Sequence, residues 1–366
     1  MITVEQKDIS QVLGFCDAVS AGFTEKGEPA MLRPLYSYCE IKVEPDRRLK
    51  LSVQRDIISG YFYHTPKQVT NDEIGKSFIV GTAEFQKLIS SRYNGDITFE
   101  ADEEKVLVKQ GSFSAKIPLY RKEKFPDLDF SAIDFRKFPE EASYILWGYS
   151  KVGNEDKILF DISGDGTNLF TNTTNSLFIG GIDDLKGEEG RKVLARDCVD
   201  ILLKCFEDEK EVGIGFNGNQ VILKSDMGYL GFTLLYDGMY KDYKAMTAWD
   251  EEKIITVNRE SLVFVLDSIS NVLPKWEERI VATVMCKDML MNLKAVNSDN
   301  NAEANETIKI ETSLTEDFKV GFPIYSMKFL KWLADENVMI YVKDNILFMM
   351  GSDKRFSMGF LAFNVQ

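Results

Sequence analysis

Four aspartates in the middle of the chain are of the residue type that could hold a divalent metal ion. Asp161 and Asp165 bracket the end of a strand-like run, and Asp183 and Asp184 follow about twenty residues later. Carboxylate oxygens bind Mg²⁺, and a bound metal ion activates water, so a carboxylate–metal hydrolase is one hypothesis. It requires the four side chains to converge on one cavity. The sequence Gly164-Asp165-Gly166 and the pair Asp183-Asp184 fit turns and solvated loops equally well.

Other residues able to do chemistry are few. His64 is the only histidine, and a lone histidine is more typical of a packing or surface residue than of a catalytic base. No zinc-protease, serine-nucleophile or phosphate-loop motif is present. Five cysteines without a CxxC pair indicate reduced, mostly buried thiols of a cytosolic protein. The sequence therefore predicts a protein that is not an enzyme and uses no cofactor or metal.

Composition narrows the class of partner. The chain has 366 residues, of which 44% are hydrophobic, enough for a core in each of two or three domains. Its formal net charge of −14 argues against a surface coated with phosphate-binding Lys and Arg, but leaves room for a local basic surface. No signal-peptide pattern precedes Ile2, and no apolar run reaches the roughly 18 residues of a membrane span. We therefore expect a cytoplasmic protein with no membrane partner.

One arrangement of elements occurs three times. A helix-like segment leads into two strand-like runs at 85–119, 197–235 and 326–363. The matching positions Ile97, Val212 and Val338 lie about 115 and about 126 residues apart, whereas solenoid and propeller repeats span roughly 20–50 residues. Each copy is therefore a domain, and three similar domains in one chain suggest an arc or a ring.

Hydrophobic spacing predicts the elements that build each copy. Apolar residues at intervals of 3–4 predict helices over Val4–Ser20, Ala83–Tyr93, Glu140–Tyr149, Arg196–Phe206, Arg259–Leu273 and Ser326–Ala334. Alternation predicts strands at Leu49–Arg55 and Ile158–Ile162, and hairpin turns are expected at 102–104, 217–219 and 343–345. The fold class is thus α+β, with two helices packed on antiparallel sheets in each third. Short polar connections place the domains at 1–134, 135–250 and 251–366.

Three motifs then show a resemblance. Lys124-Phe125-Pro126-Asp127-Leu128-Asp129 resembles the F-P-[DN]-L-D turn that closes the first domain of the bacterial beta sliding clamp, the DNA polymerase III beta subunit and processivity factor. Asp237-Gly238-Met239-Tyr240-Lys241-Asp242-Tyr243 resembles the D-G-x-F-P-D-Y segment of its second domain, and the stretch from Val320-Gly321-Phe322 to Asn337-Val338 resembles the third. The three motifs occur in the family's order on the threefold repeat, so the resemblance covers the whole chain.

The resemblance implies three tandem clamp domains that form half of a closed ring. A head-to-tail homodimer would complete the ring around duplex DNA, which is bound without regard to sequence. Partners would be DNA polymerase and clamp-loader subunits, bound through short linear motifs. Thr173–Leu177, Lys241 and Ala362–Gln366 depart from the family pattern where its members bind partner peptides. We therefore expect replication partners of its own, as in a phage- or plasmid-encoded clamp.

In the family the helices line the pore, where Lys and Arg attract the phosphate backbone without reading bases. The candidate DNA contacts implied here are Lys26, Lys87, Arg92, Lys151, Arg196, Lys204, Arg259, Lys275, Lys328 and Lys331. The acidic remainder of the surface would repel DNA, so topological closure rather than tight binding would hold the ring in place.

Two further surfaces follow from the resemblance. The peptide pocket between the second and third domains would contain Phe160, Thr173, Leu177, Ala248, Phe360, Ala362 and Phe363. The dimer seam would pair the edge strand 111–119, through Ala115 and Ile117, with the third domain near Val272 and Leu273. Pro118 lies in that strand and cannot donate to a hydrogen-bond ladder.

One further alternative stays open at the level of sequence. A three-domain interaction scaffold that does not bind DNA would show the same repeat and the same composition. Retention on circular DNA distinguishes the two, because a clamp stays until the DNA is linearised and a scaffold never loads.

Overall fold

The computed structural model describes most of the chain, and all contacts and exposures below refer to that part. The described residues are 1–21, 38–55, 57–120, 130, 132–138, 157–172, 176–195, 198–199, 201–202, 211–236, 254–273, 279–323, 330–331, 333, 335–343, 346–351 and 356–361.

Within these ranges the structure gives the bounds of three α-helices, α1 (Gln6–Ala21), α2 (Thr82–Ser90) and α3 (Arg259–Ser270), and of one short 3-10 helix, Asn71–Glu73. The Asn258 side chain caps α3 by accepting from the Ser261 N–H at 2.9 Å. One face of α3 buries Leu262, Val265, Leu266 and Ile269, as the spacing predicted. No helix in this part of the chain is long and apolar enough to cross a membrane.

The predicted helix bounds need correction. Helix α1 begins at Gln6 rather than Val4, because Ile2–Glu5 forms a strand whose residues Ile2 and Val4 are buried. Helix α2 ends at Ser90 and α3 at Ser270, three residues before each predicted end. The helix predicted at 140–149 lies outside the described residues, as do most residues of those predicted at 196–206 and 326–334.

Strands make up most of the described structure. They are β1 (Ile2–Glu5), β2 (Tyr38–Val43), β3 (Leu49–Arg55), β4 (Ile58–His64), β5 (Gln68–Val69), β6 (Ser77–Gly81), β7 (Asp96–Ala101), β8 (Lys105–Gln110), β9 (Phe113–Pro118), β10 (Arg136–Lys137), β11 (Lys157–Ser163), β12 (Gly166–Asn172), β13 (Ser176–Asp183), β14 (Gly190–Ala195), β15 (Gly213–Asn217), β16 (Gln220–Ser225), β17 (Gly228–Thr233), β18 (Leu235–Tyr236), β19 (Ile255–Asn258), β20 (Arg279–Met285), β21 (Leu290–Val296), β22 (Glu303–Thr312), β23 (Phe318–Pro323), β24 (Asn337–Lys343), β25 (Ile346–Met350) and β26 (Phe356–Leu361).

The chain divides into two compact units. The first takes in Met1–Phe138, Leu185–Glu188 and Leu194–Leu235, and the second takes in the remainder, so the middle third contributes to both. The first unit holds a five-stranded sheet in the order β5-β1-β7-β8-β9 and an eight-stranded sheet in the order β10-β15-β16-β17-β4-β3-β2-β6. Helix α1 packs on the larger sheet, where the Phe15 and Phe62 rings lie 5.6 Å apart.

The second unit is built around a thirteen-stranded sheet. Its order is β18-β14-β11-β12-β13-β26-β25-β24-β19-β22-β21-β20-β23, and every strand pair with a described register is antiparallel. Helix α3 covers β21 and β22. Leu159, Phe170, Leu177, Tyr341 and Phe348 belong to one buried cluster of this unit. The α+β class with antiparallel sheets, predicted from the sequence, is confirmed.

Candidate functional site

The four aspartates proposed as metal ligands lie on separate parts of a β-hairpin region. Asp161 is on β11 opposite Asn168, Asp165 is in the next turn, and Asp183 ends β13 opposite Gly166. The Asp184 N–H reaches the Asp165 carbonyl at 3.4 Å. Among the described residues no three carboxylate, histidine or cysteine side chains are grouped so that they could hold a metal ion. The hydrolase alternative therefore lacks the convergent cluster that it requires.

His64 is a core residue at the end of β4. It is 7% exposed, and its Nε2 atom has no hydrogen-bond partner in the described structure. Burial lowers the pKa of His64 below its ordinary value of 6.5, and the nearby Asp8 carboxylate opposes that shift. This environment favours the neutral ring and gives the side chain no access to a substrate.

The candidate DNA-contact residues differ in their exposure and in their hydrogen bonds. Lys87 on α2 and Lys331 are exposed and face solvent. Arg259 is half-buried, and its guanidinium donates to the Leu333 carbonyl while its backbone N–H donates to the Glu336 carbonyl. The other predicted contacts, apart from Arg92, lie outside the described residues: Lys26, Lys151, Arg196, Lys204, Lys275 and Lys328.

Arg92 packs against a neighbouring strand. Its guanidinium carbon lies 3.9 Å from the centroid of the Phe113 ring, and its Nη2 and Nε donate to the Ser91 hydroxyl at 2.9 and 3.2 Å. Phe113 is the first residue of β9. The stacking holds the guanidinium beside the edge of the five-stranded sheet.

The exposed face of α3 carries no free cation. It presents Glu260, Ser261, Phe264, Asp267 and Ser268, and the Phe264 side chain is 66% exposed. Because Arg259 is already bound to the carbonyl of Leu333, this helix offers no described Lys or Arg to a phosphate backbone.

The predicted pocket residues lie partly on opposite sides of one sheet. Phe160 pairs with Leu169, which pairs with Gly180, so these three residues share a face. Leu177 is three residues before Gly180 on β13 and therefore points to the other face, where it joins the buried cluster with Leu159 and Phe170. Phe160 and Leu177 are 3% and 4% exposed.

The remaining pocket residues are less fully described. The backbone of Phe360 on β26 pairs with Ser176 and with Leu347. Thr173, Ala248, Ala362 and Phe363 lie outside the described residues.

Three consecutive antiparallel strands recur at the positions of the sequence repeat. The three meanders are β7–β8–β9, β15–β16–β17 and β24–β25–β26. The predicted turns at 102–104 and 217–219 are confirmed, while most of 343–345 lies outside the described residues. The threefold repeat seen in the sequence is therefore a repeat of one structural unit.

The last strand of two meanders pairs with an earlier hairpin of the chain. Strand β17 pairs with β4, with Leu230 opposite Gly60. Strand β26 pairs with β13, with Met358 opposite Phe178. In both cases the third residue of one strand faces the third residue of the other. We call these two pairings the internal junctions.

The corresponding strand of the first meander ends its sheet. Strand β9 pairs with β8 on one side and has no described strand on the other. Residues 303–309 of β22 likewise pair with β21 on one side only. We call β9 and residues 303–309 the free edges. Of the seam residues predicted from the sequence, Ala115 and Ile117 lie on β9, where Ala115 is half-buried and Ile117 is 9% exposed. Val272 lies after the end of α3 and accepts from the Asn297 side chain at 2.7 Å. Leu273 follows, half-buried.

Comparison with known proteins rests on structure. No protein-family model and no curated protein sequence matches the chain. The *Helicobacter pylori* beta clamp bound to a DNA ligase peptide aligns over 100% of both chains with a TM-score of 0.77 and 16% identity. A putative DNA polymerase III beta subunit from *Eubacterium rectale* ATCC 33656 aligns over 100% of this chain and 99% of its own, with a TM-score of 0.74 and 14% identity.

A griselimycin-bound DnaN sliding clamp (DNA polymerase III subunit beta) from *Pseudomonas aeruginosa* aligns over the same shares of both chains. Its TM-score is 0.74 and its identity 16%. The chain has the fold of the bacterial beta sliding clamps. Identity this low shows the fold alone, and the activity of this clamp-fold chain depends on its own residues.

Sequence reasoning missed the free edge of β22 and the contact between Arg92 and Phe113. In the clamp-fold chain both depend on strand neighbours distant in sequence. The only local signal was the alternation of Glu303, Asn305 and Thr307, which are exposed, with the more buried Ala304 and Ile308. That alternation indicates a strand with one covered face.

Proposed function

We propose that the chain is half of a sliding clamp, a ring of two copies that encircles duplex DNA and tethers a replicative polymerase to it. The observation that carries this proposal is the unequal use of three equivalent strand edges. Two edges are filled within the chain by the internal junctions, and the third leaves β9 and residues 303–309 of β22 each with a described strand on one side only. An unpaired edge is a template for another strand.

Joining β9 of one copy to β22 of a second repeats the internal junction between chains. The operation is head-to-tail, and two such contacts close a ring. Each copy would contribute three domains, 1–134, 135–250 and 251–366, so that six surround the pore. This is the homodimer that the resemblance to the beta sliding clamps implies.

The internal junctions also indicate a strand register for the proposed junction between two copies of the chain. The third residue of β9 is Ala115, matching Leu230 and Met358. Because β9 buries its odd residues and β22 its even ones, a register that keeps one covered face places Ala115 opposite an even residue of β22. We propose Ala304 among these, because that choice also sets Lys116 opposite an acidic side chain. Ile117 then faces Ala302, Phe113 faces Glu306 and Lys116 faces Glu303.

DNA would pass through the ring and would make only weak contacts between its phosphates and Lys side chains. Exposed Lys87 and Lys331 are the described candidates, and Arg259 and the α3 face contribute little. A few phosphate contacts give weak binding that depends strongly on salt. Retention would then come from ring closure.

A disulfide across the register tests closure and retention together. In the proposed register Ala115 and Ala304 form a close, non-hydrogen-bonded pair, which suits a disulfide. We expect the double variant Ala115→Cys, Ala304→Cys to cross-link into covalent dimers under mild oxidation. Asn305→Cys in place of Ala304→Cys is the matched control, because that side chain points to the opposite face.

The cross-linked ring should then stay on circular DNA in high salt after loading and leave when the DNA is cut once. A ring that forms but never remains on circular DNA would support the scaffold alternative. A chain that stays monomeric at every concentration would contradict the clamp.

We also propose that partner subunits bind by a short peptide on the Leu177 face of the second unit. The buried cluster of Leu159, Phe170, Leu177, Tyr341 and Phe348 supports this, because an apolar floor suits peptides with hydrophobic anchors. Phe160 points away from that face, and so does Phe360, which lies opposite Ser176 rather than Leu177, so any contribution they make is indirect. Replacing Leu177 and Phe363 by Ser should abolish polymerase stimulation by the ring. Undiminished stimulation of the polymerase would contradict the assignment of the peptide pocket to this face.

A further inference from the structure

Arg92 and Glu306 are charged side chains without an ionic partner in the described part of the chain. Arg92 contacts only the Phe113 ring and the Ser91 hydroxyl through its guanidinium. Glu306 is exposed on the helix-covered face of β22, between half-buried Ala304 and buried Ile308. A second strand paired at this edge would remove water from the Glu306 carboxylate, which would then be stabilised by a cation from that strand.

The register of the proposed ring brings these two charges together. Phe113 of one copy faces Glu306 of the second, and directly opposed side chains lie about 4.5–5.5 Å apart at Cβ. Because Arg92 stacks on Phe113, its guanidinium is held within reach of that carboxylate. Arginine presents a planar fork that matches a carboxylate.

We propose that Arg92 of one copy pairs with Glu306 of the other and that this pair selects a second copy of this chain as the partner. The inference rests on the proposed function. Arg92 is then a seam residue rather than a DNA contact. On the opposite face of the strands Lys116 meets Glu303 in the same register. Glu303 already pairs with Lys294 at 2.8 Å, so the second charge pair contributes less.

The internal junctions support this division of roles. At the place matching Phe113 and Glu306 they have Gly228 opposite Phe62 and Phe356 opposite Gly180. At the place matching Lys116 and Glu303 they have Gly231 opposite Ser59 and Gly359 opposite Leu177. Opposite charges face one another only where the contact would form between chains.

Charge reversal tests the pair by sedimentation equilibrium. We expect Arg92→Glu alone and Glu306→Arg alone each to raise the dimer dissociation constant by roughly 100-fold, because like charges then face one another at both seams. Mixing the two single variants should restore dimers close to the wild-type constant. In the mixed ring one seam carries the swapped pair and the other carries the original pair.

The control is Lys137→Glu, the same charge change as Arg92→Glu at an exposed position of β10, which belongs to the eight-stranded sheet and not to the sheet of either free edge. Circular dichroism melting of each variant checks that it folds. If wild type dimerises and the Ala115–Ala304 cross-link forms, but charge reversal leaves the constant unchanged or mixing fails to restore it, the pair is wrong and the ring stands. If Arg92→Glu weakens DNA retention with dimerisation unchanged, Arg92 is a phosphate contact and the inference is overturned.

Discussion

The internal junction between β17 and β4 and the free edges β9 and β22 share strand geometry but not side chains. At the junction, Phe62 packs opposite Gly228, and the Phe62 ring also meets Phe15 of α1. At the free edges the matching residues are Phe113, with Arg92 stacked on it, and Glu306. The first pairing is made within the chain, whereas in the proposed ring the second would form only with another molecule.

This difference has a physical reason. A junction inside one chain is never exposed in the folded state, so it can be apolar and closely packed. A free edge faces water until its partner arrives, and charged side chains on an edge prevent indiscriminate strand pairing. The charges that keep the separate chain soluble can then specify the correct partner. Stability should therefore depend on the internal junctions, and association on the free edges.

The largest effect is expected from adding one methyl group to the internal junction between β17 and β4. Gly228 has φ +143°, and a Cβ there would lie 1.9 Å from the Tyr61 carbonyl oxygen and 2.9 Å from Phe62 Cα. We expect Gly228→Ala to cost about 4 kcal/mol or more of unfolding free energy, because backbone strain adds to a contact with the neighbouring strand that side-chain rotation cannot relieve. Urea denaturation measures it.

Gly218→Ala is the matched control. Gly218 has φ +58° in the β15–β16 turn, with no atom within 4 Å of the added Cβ. Its cost should be about 1 kcal/mol, from the left-handed backbone conformation alone. Equal costs at the two glycines would mean that the β17–β4 junction is not a main source of stability.

Local patterns predicted much of this fold. Alternation in β7–β8 and β15–β16, with turns at 102–104 and Gly218, was readable because strands and hairpin turns depend on neighbouring residues. Four-residue β1 was missed because its partners β5 and β7 lie far along the chain. Its residues Val4 and Glu5 were therefore assigned to the helix that follows.

Side-chain roles depended on pairing that sequence spacing does not show. Arg92 was predicted to be a DNA contact, and nothing in the sequence indicated that it stacks on Phe113, twenty-one positions later. Phe160 and Leu177 looked like pocket neighbours, and only the registers of β11, β12 and β13 show that they face opposite ways. A shift of one residue in either register would reverse that conclusion.

A smaller effect is expected at Pro118, where the free edge lacks a donor that the internal junction has. The Leu119 N–H donates to Glu104 of the same hairpin, so alternation points the backbone nitrogen of residue 118 outward. At the internal junction the matching Thr233 N–H donates to the Ile57 carbonyl at 2.7 Å. Proline cannot make that bond, so the seam should be weaker than an internal junction by one hydrogen bond.

Pro118→Thr should restore the missing donor, with the Asn301 carbonyl of the second copy as its acceptor in the proposed register. A net hydrogen bond of about 1 kcal/mol at each of the two seams corresponds to a roughly 30-fold lower dimer dissociation constant by sedimentation equilibrium. Ser114→Thr is the control. Residue 114 already has an outward-pointing backbone N–H, so this variant introduces a threonine side chain without adding a backbone donor. Unfolding free energies should change little for either variant. If both tighten the dimer equally, side-chain packing rather than the ladder limits the seam, and if neither does, strand β9 does not pair through this edge.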